Sequence, residues 1–410
     1  MISLLAWVPF VFADVLPSKP VELPFVELRP WAAAKPPPRS IVATSNLPLA
    51  PDAWRLAGHR AVRGITIGPI ENAYHPDLGY GSKAYERTLI ESERMGAEWV
   101  ALTVFGRVGD LTGRGVDPTF ESPHERNVAD VTRAIRQAHA RGLKVMLVPH
   151  LWVESGEWRA KIDPKTDVGW DAWAKSYGAY VKRWAQVAEE THTEIFSAGV
   201  ELRSWVTTPR APSFVALIRE IRAVYKGLVT YSANWDDLED TVVLGELDIL
   251  GVNAFFPLAE KDGASFEKLL EGGRRVREKV ATLAATWQKP VLFTEIGYTT
   301  RPNPAIRPWE WPDDMKKPKV DEAAQAEAYR ALIAPLLDEP RFMGFFVWRV
   351  YADPDDVSQE AAWGFSPRGK LAELVMRDAF AAPWRGDATF VRGWAPGAQV
   401  PGTFSGLTLR

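Results

Sequence analysis

The 410-residue sequence predicts an α/β fold in which eight strand-then-helix units follow one another and close into a (β/α)8 barrel. Short, almost continuously apolar runs alternate with longer segments of helical spacing, which is typical of a parallel sheet covered by helices. An open, doubly wound sheet would usually carry a glycine-rich phosphate turn after its first strand. The first apolar run here continues as Gly68-Pro69-Ile70, which lacks that turn.

The units occur in a regular order along the chain. The apolar runs predict strands over 64–67, 99–105, 143–149, 195–201, 228–234, 247–253, 291–295 and 342–348. The segments between them predict helices over 83–95, 128–140, 170–189, 213–225, 266–287, 322–337 and 370–380, with a short acidic helix near 236–241. Gly142 marks the end of the second helix as a C′ glycine, and Ser213 after Pro212 is the expected N-cap of the fourth.

Segments outside the barrel differ from it in composition. Residues 1–13 are apolar and end on Val-Phe-Ala, so we expect a short signal peptide and a secreted or cell-envelope protein, although the segment has no Lys or Arg. Residues 14–55 are rich in proline and predict an arm or linker, whereas residues 56–383 form the barrel. Residues 384–410 are expected to be a short C-terminal tail.

Composition excludes several classes of function. A net charge of −3 gives no basic excess for a phosphate backbone, so we expect no nucleic-acid partner. The absence of cysteine excludes disulfides, thiolate metal sites and cysteine nucleophiles. No segment is long and apolar enough to be an integral membrane span. The 18 tryptophans are expected to lie mostly in the core, with a minority exposed as platforms for sugar rings.

Polar, acidic and aromatic residues collect at the carboxyl ends of the predicted strands, where active sites of such barrels lie. These residues are His150, Trp152, Glu201, Asn234, Trp235, Asn253, Glu295, Tyr298 and Trp348. A ring of this kind is poor for stability and well suited to a polyol. We therefore expect a polysaccharide or oligosaccharide substrate, no cofactor, no metal and a monomeric protein.

Glu201 and Glu295 each end a buried strand, where an unpaired carboxylate is costly. Glycosidases use two such groups, one neutral acid to protonate the leaving oxygen and one ionised group. Chemistry alone allows either glutamate to take either role. The alternative for Glu201 is a structural ion pair with Arg203, and for Glu295 an ion pair with a basic residue of the barrel.

The chain resembles glycoside hydrolase family 113, a family of retaining β-1,4-mannanases. The resemblance rests on an ordered set of motifs: AHARGLKVMLVPHLWV, SGEWRAKI, FSAGVELRSW, YSANWDD, LGVNAFFPL, FTEIGY and FFVWRVY. It implies that Glu201 is the acid/base, that Glu295 is the nucleophile and that Trp348 lies beneath the sugar being cleaved. It also implies substrate contacts for His150, Trp152, Asn234 and Trp235.

Two positions depart from what many related enzymes carry. Val200 precedes the acid/base where an asparagine is common, and Phe255 lies in strand six where a tyrosine often binds the nucleophile. Either Asn253 substitutes for that tyrosine or the nucleophile is tuned in another way. Alternatives to a mannanase are a non-catalytic carbohydrate-binding barrel, a β-glycanase for another glycan such as a cell-envelope polysaccharide, and a metal-dependent hydrolase.

Overall fold

A computed structural model describes residues 60–69, 78–119, 122–310, 319–355 and 362–387 of the chain. The expected signal peptide over 1–13 and the proline-rich arm over 14–55 lie outside the described residues. Most of the expected C-terminal tail lies outside them as well.

Eight parallel strands form a closed barrel in which each strand pairs with its neighbours in chain order and β8 pairs with β1. The predicted (β/α)8 fold is therefore confirmed. The strands are β1 (Val62–Gly68), β2 (Trp99–Val108), β3 (Lys144–Val153), β4 (Ile195–Val200), β5 (Leu228–Asn234), β6 (Leu250–Asn253), β7 (Val291–Ile296) and β8 (Phe342–Tyr351). Nearly every strand residue is buried, which explains why the strands read as continuous apolar runs.

The helices between the strands lie close to their predicted positions. They are α1 (Lys83–Arg94), α2 (His124–Ala140), α3 (Asp167–Glu190), α4 (Arg203–Val206), α5 (Ala211–Val224), α6 (Phe266–Trp287), α7 (Glu322–Leu336) and α8 (Leu371–Ala381). Gly142 adopts φ +80° after α2, as a C′ glycine does. Ser82, Thr166 and Ser265 each accept a backbone N–H at the start of a helix, which satisfies donors that the first turn leaves free.

Two local predictions are wrong. The helix expected near 236–241 is a series of turns, and a short 3₁₀ helix follows at Val242–Glu246. The carboxylates of Asp236 and Asp237 bind Arg203, which holds this segment against α4. Ser213 is not an N-cap, because α5 begins two residues earlier at Ala211, with Pro212 in the first turn.

An aromatic cluster supports the end of β4 from behind. Trp205 of α4 packs against Tyr177 of α3 and Phe214 of α5, with ring centroids 5.6 and 5.1 Å apart. The Tyr177 hydroxyl donates to the carbonyl of Ala198 in β4 at 3.0 Å. Trp205 is thus a core residue that fixes the strand leading into the site, and the other buried tryptophans among the described residues are Trp99, Trp170, Trp173, Trp184 and Trp384.

A buried arginine joins β1 to the segment after α8. Arg63 has no exposed surface, and its guanidinium donates to both carboxylate oxygens of Asp387 and to the carbonyls of Ala61, Phe380 and Ala382. Every donor of the guanidinium is used, which makes burial of the charge tolerable. The same guanidinium lies over the Trp384 ring, with Cζ of Arg63 4.2 Å from the ring centroid.

Candidate active site

Glu201 follows β4 directly and has a left-handed backbone conformation, with φ +51°. This region is uncommon for a non-glycine residue and persists where the surroundings impose it. Two hydrogen bonds to β5 impose it here. The Glu201 N–H donates to the carbonyl of Ser232 at 2.9 Å, and the Leu202 N–H donates to the Tyr231 hydroxyl at 2.6 Å. The turn aims the carboxyl group of Glu201 at the barrel mouth.

Three donors meet the carboxyl group of Glu201. The Trp158 indole N–H and the Arg159 Nη1 both donate to Oε2, at 2.7 and 2.6 Å. The Asn253 amide donates to Oε1 at 2.9 Å. Hydrogen bonds from N–H donors and a neighbouring guanidinium favour the ionised form of a carboxyl group. Trp158, Arg159 and Asn253 therefore satisfy both oxygens of the Glu201 carboxyl group. The ion pair with Arg203 that was considered from sequence is not formed, since Arg203 binds Asp236 and Asp237 instead.

Arg159 is itself fixed by its neighbours. Besides Glu201, its guanidinium donates to the carbonyl of Leu151 at 3.2 Å and meets the Nε2 of His150 at 3.2 Å. Because arginine can only donate, the Nε2 of His150 must accept, and the imidazole proton lies on Nδ1 facing the Leu151 carbonyl. Burial, and next the charge of Arg159, lower the pKa of His150 well below its usual value. His150 is therefore neutral and orients Arg159.

Glu295 lies in β7 and is 7% exposed. Burial raises the pKa of Glu295 to about 8, and the negative charge of Glu201 adds to the rise. The guanidinium groups of Arg159 and Arg349 and a hydrogen bond from Asn253 oppose it. The two carboxyl groups thus interact electrostatically, as sequence analysis expected of a pair at one mouth.

The raised pKa of Glu295 determines its protonation at neutral pH. A pKa of about 8 leaves a proton on Glu295 at neutral pH, whereas the roles implied by the resemblance require a proton on Glu201 when the sugar bond is broken. A proton that moves from one of these carboxyl groups to the other leaves their total charge unchanged. Glu295 loses its proton near pH 8.

Asn253 at the end of β6 lies between the two glutamates. Its amide contacts Glu201, its carbonyl accepts from the Thr294 hydroxyl at 2.9 Å, and Asn253 is in register with Glu295. The bond from Thr294 fixes which end of the amide faces the carboxyl groups. The Asn253 side chain therefore makes hydrogen bonds to both carboxyl groups.

Other predicted residues lie around this pair to different degrees. The half-buried Trp348 stacks on His150 with ring centroids 6.3 Å apart. Asn234 is nearly buried and donates to Asp236 at 2.6 Å. Trp152 is 46% exposed at the end of β3. Trp348 and Trp152 thus offer ring surface to a ligand, whereas the amide of Asn234 already has a protein partner.

A second aromatic group lies after β5. Trp235 is half-buried and stacks on Trp309 at 5.6 Å and 18° between planes, and its edge meets Phe256. Trp309 is 45% exposed. Tyr298, by contrast, is fully buried and packs edge-on against Tyr329 of α7, so it does not join the predicted substrate contacts.

The contacts of Trp158 and Arg159 with Glu201 were not predicted from the sequence. Both lie in the SGEWRAKI segment that follows β3, and Arg159 begins a single 3₁₀ turn there. The signal available was the position of the segment after a barrel strand. Nothing in its local spacing shows that its indole and guanidinium reach back to Glu201.

Two further observations concern the described residues. Within the ranges that the structure describes, no group of three or more His, Asp or Glu is arranged to hold a metal ion. Within the same ranges, every helix is too short or too polar to cross a bilayer.

A closed (β/α)8 barrel with two coupled, buried carboxyl groups at the ends of β4 and β7 has the arrangement of a glycoside hydrolase. Comparison with protein families agrees, because the model of Glycoside Hydrolase Family 113 matches residues 78–365. The chain belongs to this family and is a glycoside hydrolase. A search among curated proteins finds no match.

Solved structures share the fold. A GH113 β-1,4-mannanase in a complex aligns with TM-score 0.66 at 23% identity, over 78% of this chain and 99% of the other. The GH113 β-mannanase AaManA from Alicyclobacillus acidocaldarius, in complex with ManMIm, aligns with TM-score 0.67 at 24% identity, over 79% and 98%. A Faecalibacterium prausnitzii β-glucuronidase aligns with TM-score 0.52 at 16% identity, over 78% and 49%. At these identities the likeness concerns the fold.

Proposed function

We propose that the protein is a retaining endo-β-1,4-mannanase that uses Glu295 as nucleophile and Glu201 as acid/base. The observation that carries this proposal is the electrostatic coupling of two buried carboxyl groups at one barrel mouth, with Asn253 between them. A retaining mechanism requires carboxyl groups about 5–5.5 Å apart, whereas inversion requires about 6.5–9.5 Å.

In the first step the Glu295 carboxylate attacks the anomeric carbon and the glycosidic C–O bond breaks. Glu201 gives its proton to the leaving oxygen, which departs as a neutral hydroxyl. The proton that Glu295 holds at neutral pH must move to Glu201 before this step.

In the second step the Glu201 carboxylate takes a proton from water as the water oxygen attacks the anomeric carbon. The ester bond to Glu295 breaks, and its electrons return to the Glu295 carboxylate. The sugar leaves with the β configuration of the substrate, since two inversions at one carbon give net retention.

Mannan is the proposed substrate for two reasons. The chain belongs to family 113, and solved members of this family are titled β-1,4-mannanases. The half-buried Trp348 and the exposed Trp152 also suit a neutral polysaccharide, because the axial C–H face of a sugar packs on an indole.

Two measurements test the proposal. Proton NMR of products released from β-1,4-mannohexaose should show the β-anomer first, and initial release of the α-anomer would refute retention. Glu295→Gln should reduce turnover to background, and near-wild-type activity in this variant would refute the nucleophile role.

A panel of glycans separates the remaining substrates. Cleavage of mannan and manno-oligosaccharides at internal bonds supports the proposal. Preference for mixed-linkage glucan, xylan or a cell-envelope glycan would replace mannan with that polymer. Binding of these glycans without hydrolysis at any pH would instead indicate a non-catalytic carbohydrate-binding barrel.

A further inference from the structure

We propose that Arg159 is a positioning residue for the second half-reaction, in which it holds Glu201 as the carboxylate that activates water. In the first half-reaction the same contact opposes the action of Glu201 as an acid. This inference rests on the proposed function, since it assigns a step to Glu201 in that mechanism. It adds a residue that acts through the acid/base and divides its effect unequally between the two steps.

The contact between Arg159 and Glu201 is short, direct and shielded from solvent. Nη1 lies 2.6 Å from Oε2, and the two side chains are 20% and 10% exposed. The other guanidinium nitrogens bind His150 and the Leu151 carbonyl, which leaves the group little freedom to swing away. Arginine keeps its charge at any working pH, so the contact always favours the ionised form of Glu201.

The remaining charged and titratable groups near Glu201 do not substitute for Arg159. Arg203 lies over the Trp158 ring at 5.0 Å from its centroid, and its nitrogens bind Asp236 and Asp237. His150 is neutral because burial lowers its pKa. The other groups that act on Glu201 or on its partner Glu295 are Tyr231, Asp237 and Arg349. Arg159 is therefore the cation in direct contact with this carboxylate among the described residues.

The state of the site differs between the two steps. Before the first step Glu201 must carry a proton, and the guanidinium beside it disfavours that form. In the glycosyl-enzyme, Glu295 is esterified and carries no charge, so Glu201 is the only carboxylate of the pair. A buried carboxylate without a cationic partner would be costly. Arg159 stabilises the Glu201 carboxylate in this state by donating to Oε2, while the Asn253 amide donates to Oε1.

The test separates the two steps with an activated substrate, 2,4-dinitrophenyl β-mannobioside, whose leaving group needs no proton. Arg159→Met should release the first equivalent of dinitrophenolate within about threefold of the wild-type rate. Subsequent turnover should fall by about 100-fold, the lower range for a lost general base. A stoichiometric burst should therefore appear, and the acid limb of steady-state turnover should move to higher pH.

Azide and two further variants sharpen the result. Azide attacks the anomeric carbon without proton transfer, so it should restore turnover in Arg159→Met and yield the β-glycosyl azide. Arg159→Lys keeps the charge without the planar fork, and we expect a smaller burst and partial recovery. Trp158→Phe removes the neutral donor to the same oxygen and keeps the cation, so it should lower turnover without producing a burst.

Other outcomes would overturn the inference. Equal slowing of both steps in Arg159→Met and Arg159→Lys, with no burst and no response to azide, would show that Arg159 only shapes the site or binds substrate. Failure of the proposed function looks different, because the wild-type enzyme itself would then release the α-anomer. Circular dichroism and melting temperature of each variant exclude loss of folding as the cause of slow turnover.

Discussion

Replacing the proposed nucleophile should make the protein more stable at neutral and alkaline pH. Glu295 is buried, and its pKa of about 8 exceeds the ordinary value of 4.5 that it regains on unfolding. Between these two pH values the folded protein holds a proton that the unfolded chain has released. The free energy of unfolding therefore falls as pH rises through this window.

The magnitude follows from the difference in pKa. Each pKa unit corresponds to about 1.4 kcal/mol, so the rise to about 8 represents an upper limit of roughly 5 kcal/mol above pH 8 and about 3 kcal/mol at pH 7. Glu295→Gln has nearly the same shape and no titrating proton. The free energy of unfolding of the variant should thus equal that of the wild type at pH 4.5 and exceed it by up to about 3 kcal/mol at pH 7.

Urea unfolding at pH 4.5, 6, 7 and 8 measures this difference. A matched control is Glu194→Gln, because Glu194 is equally buried but accepts from the Val145 N–H and pairs with His139 and Lys144. That variant should lose about 1–3 kcal/mol at pH 7, since it leaves polar partners unsatisfied. If Glu295→Gln were less stable than the wild type at pH 8, or if the difference did not vary with pH, the reasoning about Glu295 would be wrong.

Three further predictions concern the pH profile, the acid role of Glu201 and the ion pair between Arg63 and Asp387. The value of kcat/KM on mannohexaose should fall above about pH 8, where the Glu295 carboxyl group loses its proton; a profile still rising at pH 9 would contradict this. Glu201→Ala should lower kcat/KM, which reports the first step, by about 100- to 10,000-fold on mannan but far less on a dinitrophenyl glycoside, whose leaving group needs no proton; an equal loss of kcat/KM on both would exclude the acid role. Asp387→Ala leaves the buried charge of Arg63 unpaired, so urea unfolding should show a loss of about 3–5 kcal/mol with kcat unchanged at 25 °C; an unaffected stability would contradict the described ion pair.

Most of the fold could be predicted because its signals are local. The apolar runs of β5 and the spacing of α6 give the observed bounds without any knowledge of tertiary structure. The segment near 236–241 failed because a tertiary contact determines it. Asp236 and Asp237 bind Arg203, more than 30 residues away in sequence, and this contact outweighs their local preference.

The site was predictable to a different degree. Glu201 and Glu295 could be named because a carboxylate at the end of a buried strand is unusual in itself. Arg159 could not, because its contact depends on how the loop after β3 folds over the mouth. Tyr298 shows the opposite error. It follows β7 as a substrate contact would, but the chain turns it away toward Tyr329.

The placement of the catalytic proton also required the structure. Both carboxyl groups end strands, and chemistry alone allows either to be the acid. The donors Trp158, Arg159 and Asn253 surround Glu201, whereas Glu295 is buried among fewer of them. Under the proposed roles, the proton that Glu295 holds at neutral pH must move to Glu201 before the sugar bond breaks.

In the proposed mechanism Glu295 forms a covalent bond with the sugar, and this glycosyl-enzyme can be trapped. The enzyme would be incubated with 2-deoxy-2-fluoro-β-mannosyl fluoride, digested with pepsin and examined by mass spectrometry. If Glu295 is the nucleophile, one equivalent of fluoromannosyl label should be found on the peptide containing Phe293-Thr294-Glu295. Label on Glu201, or stoichiometric turnover with no label on any peptide, would contradict it.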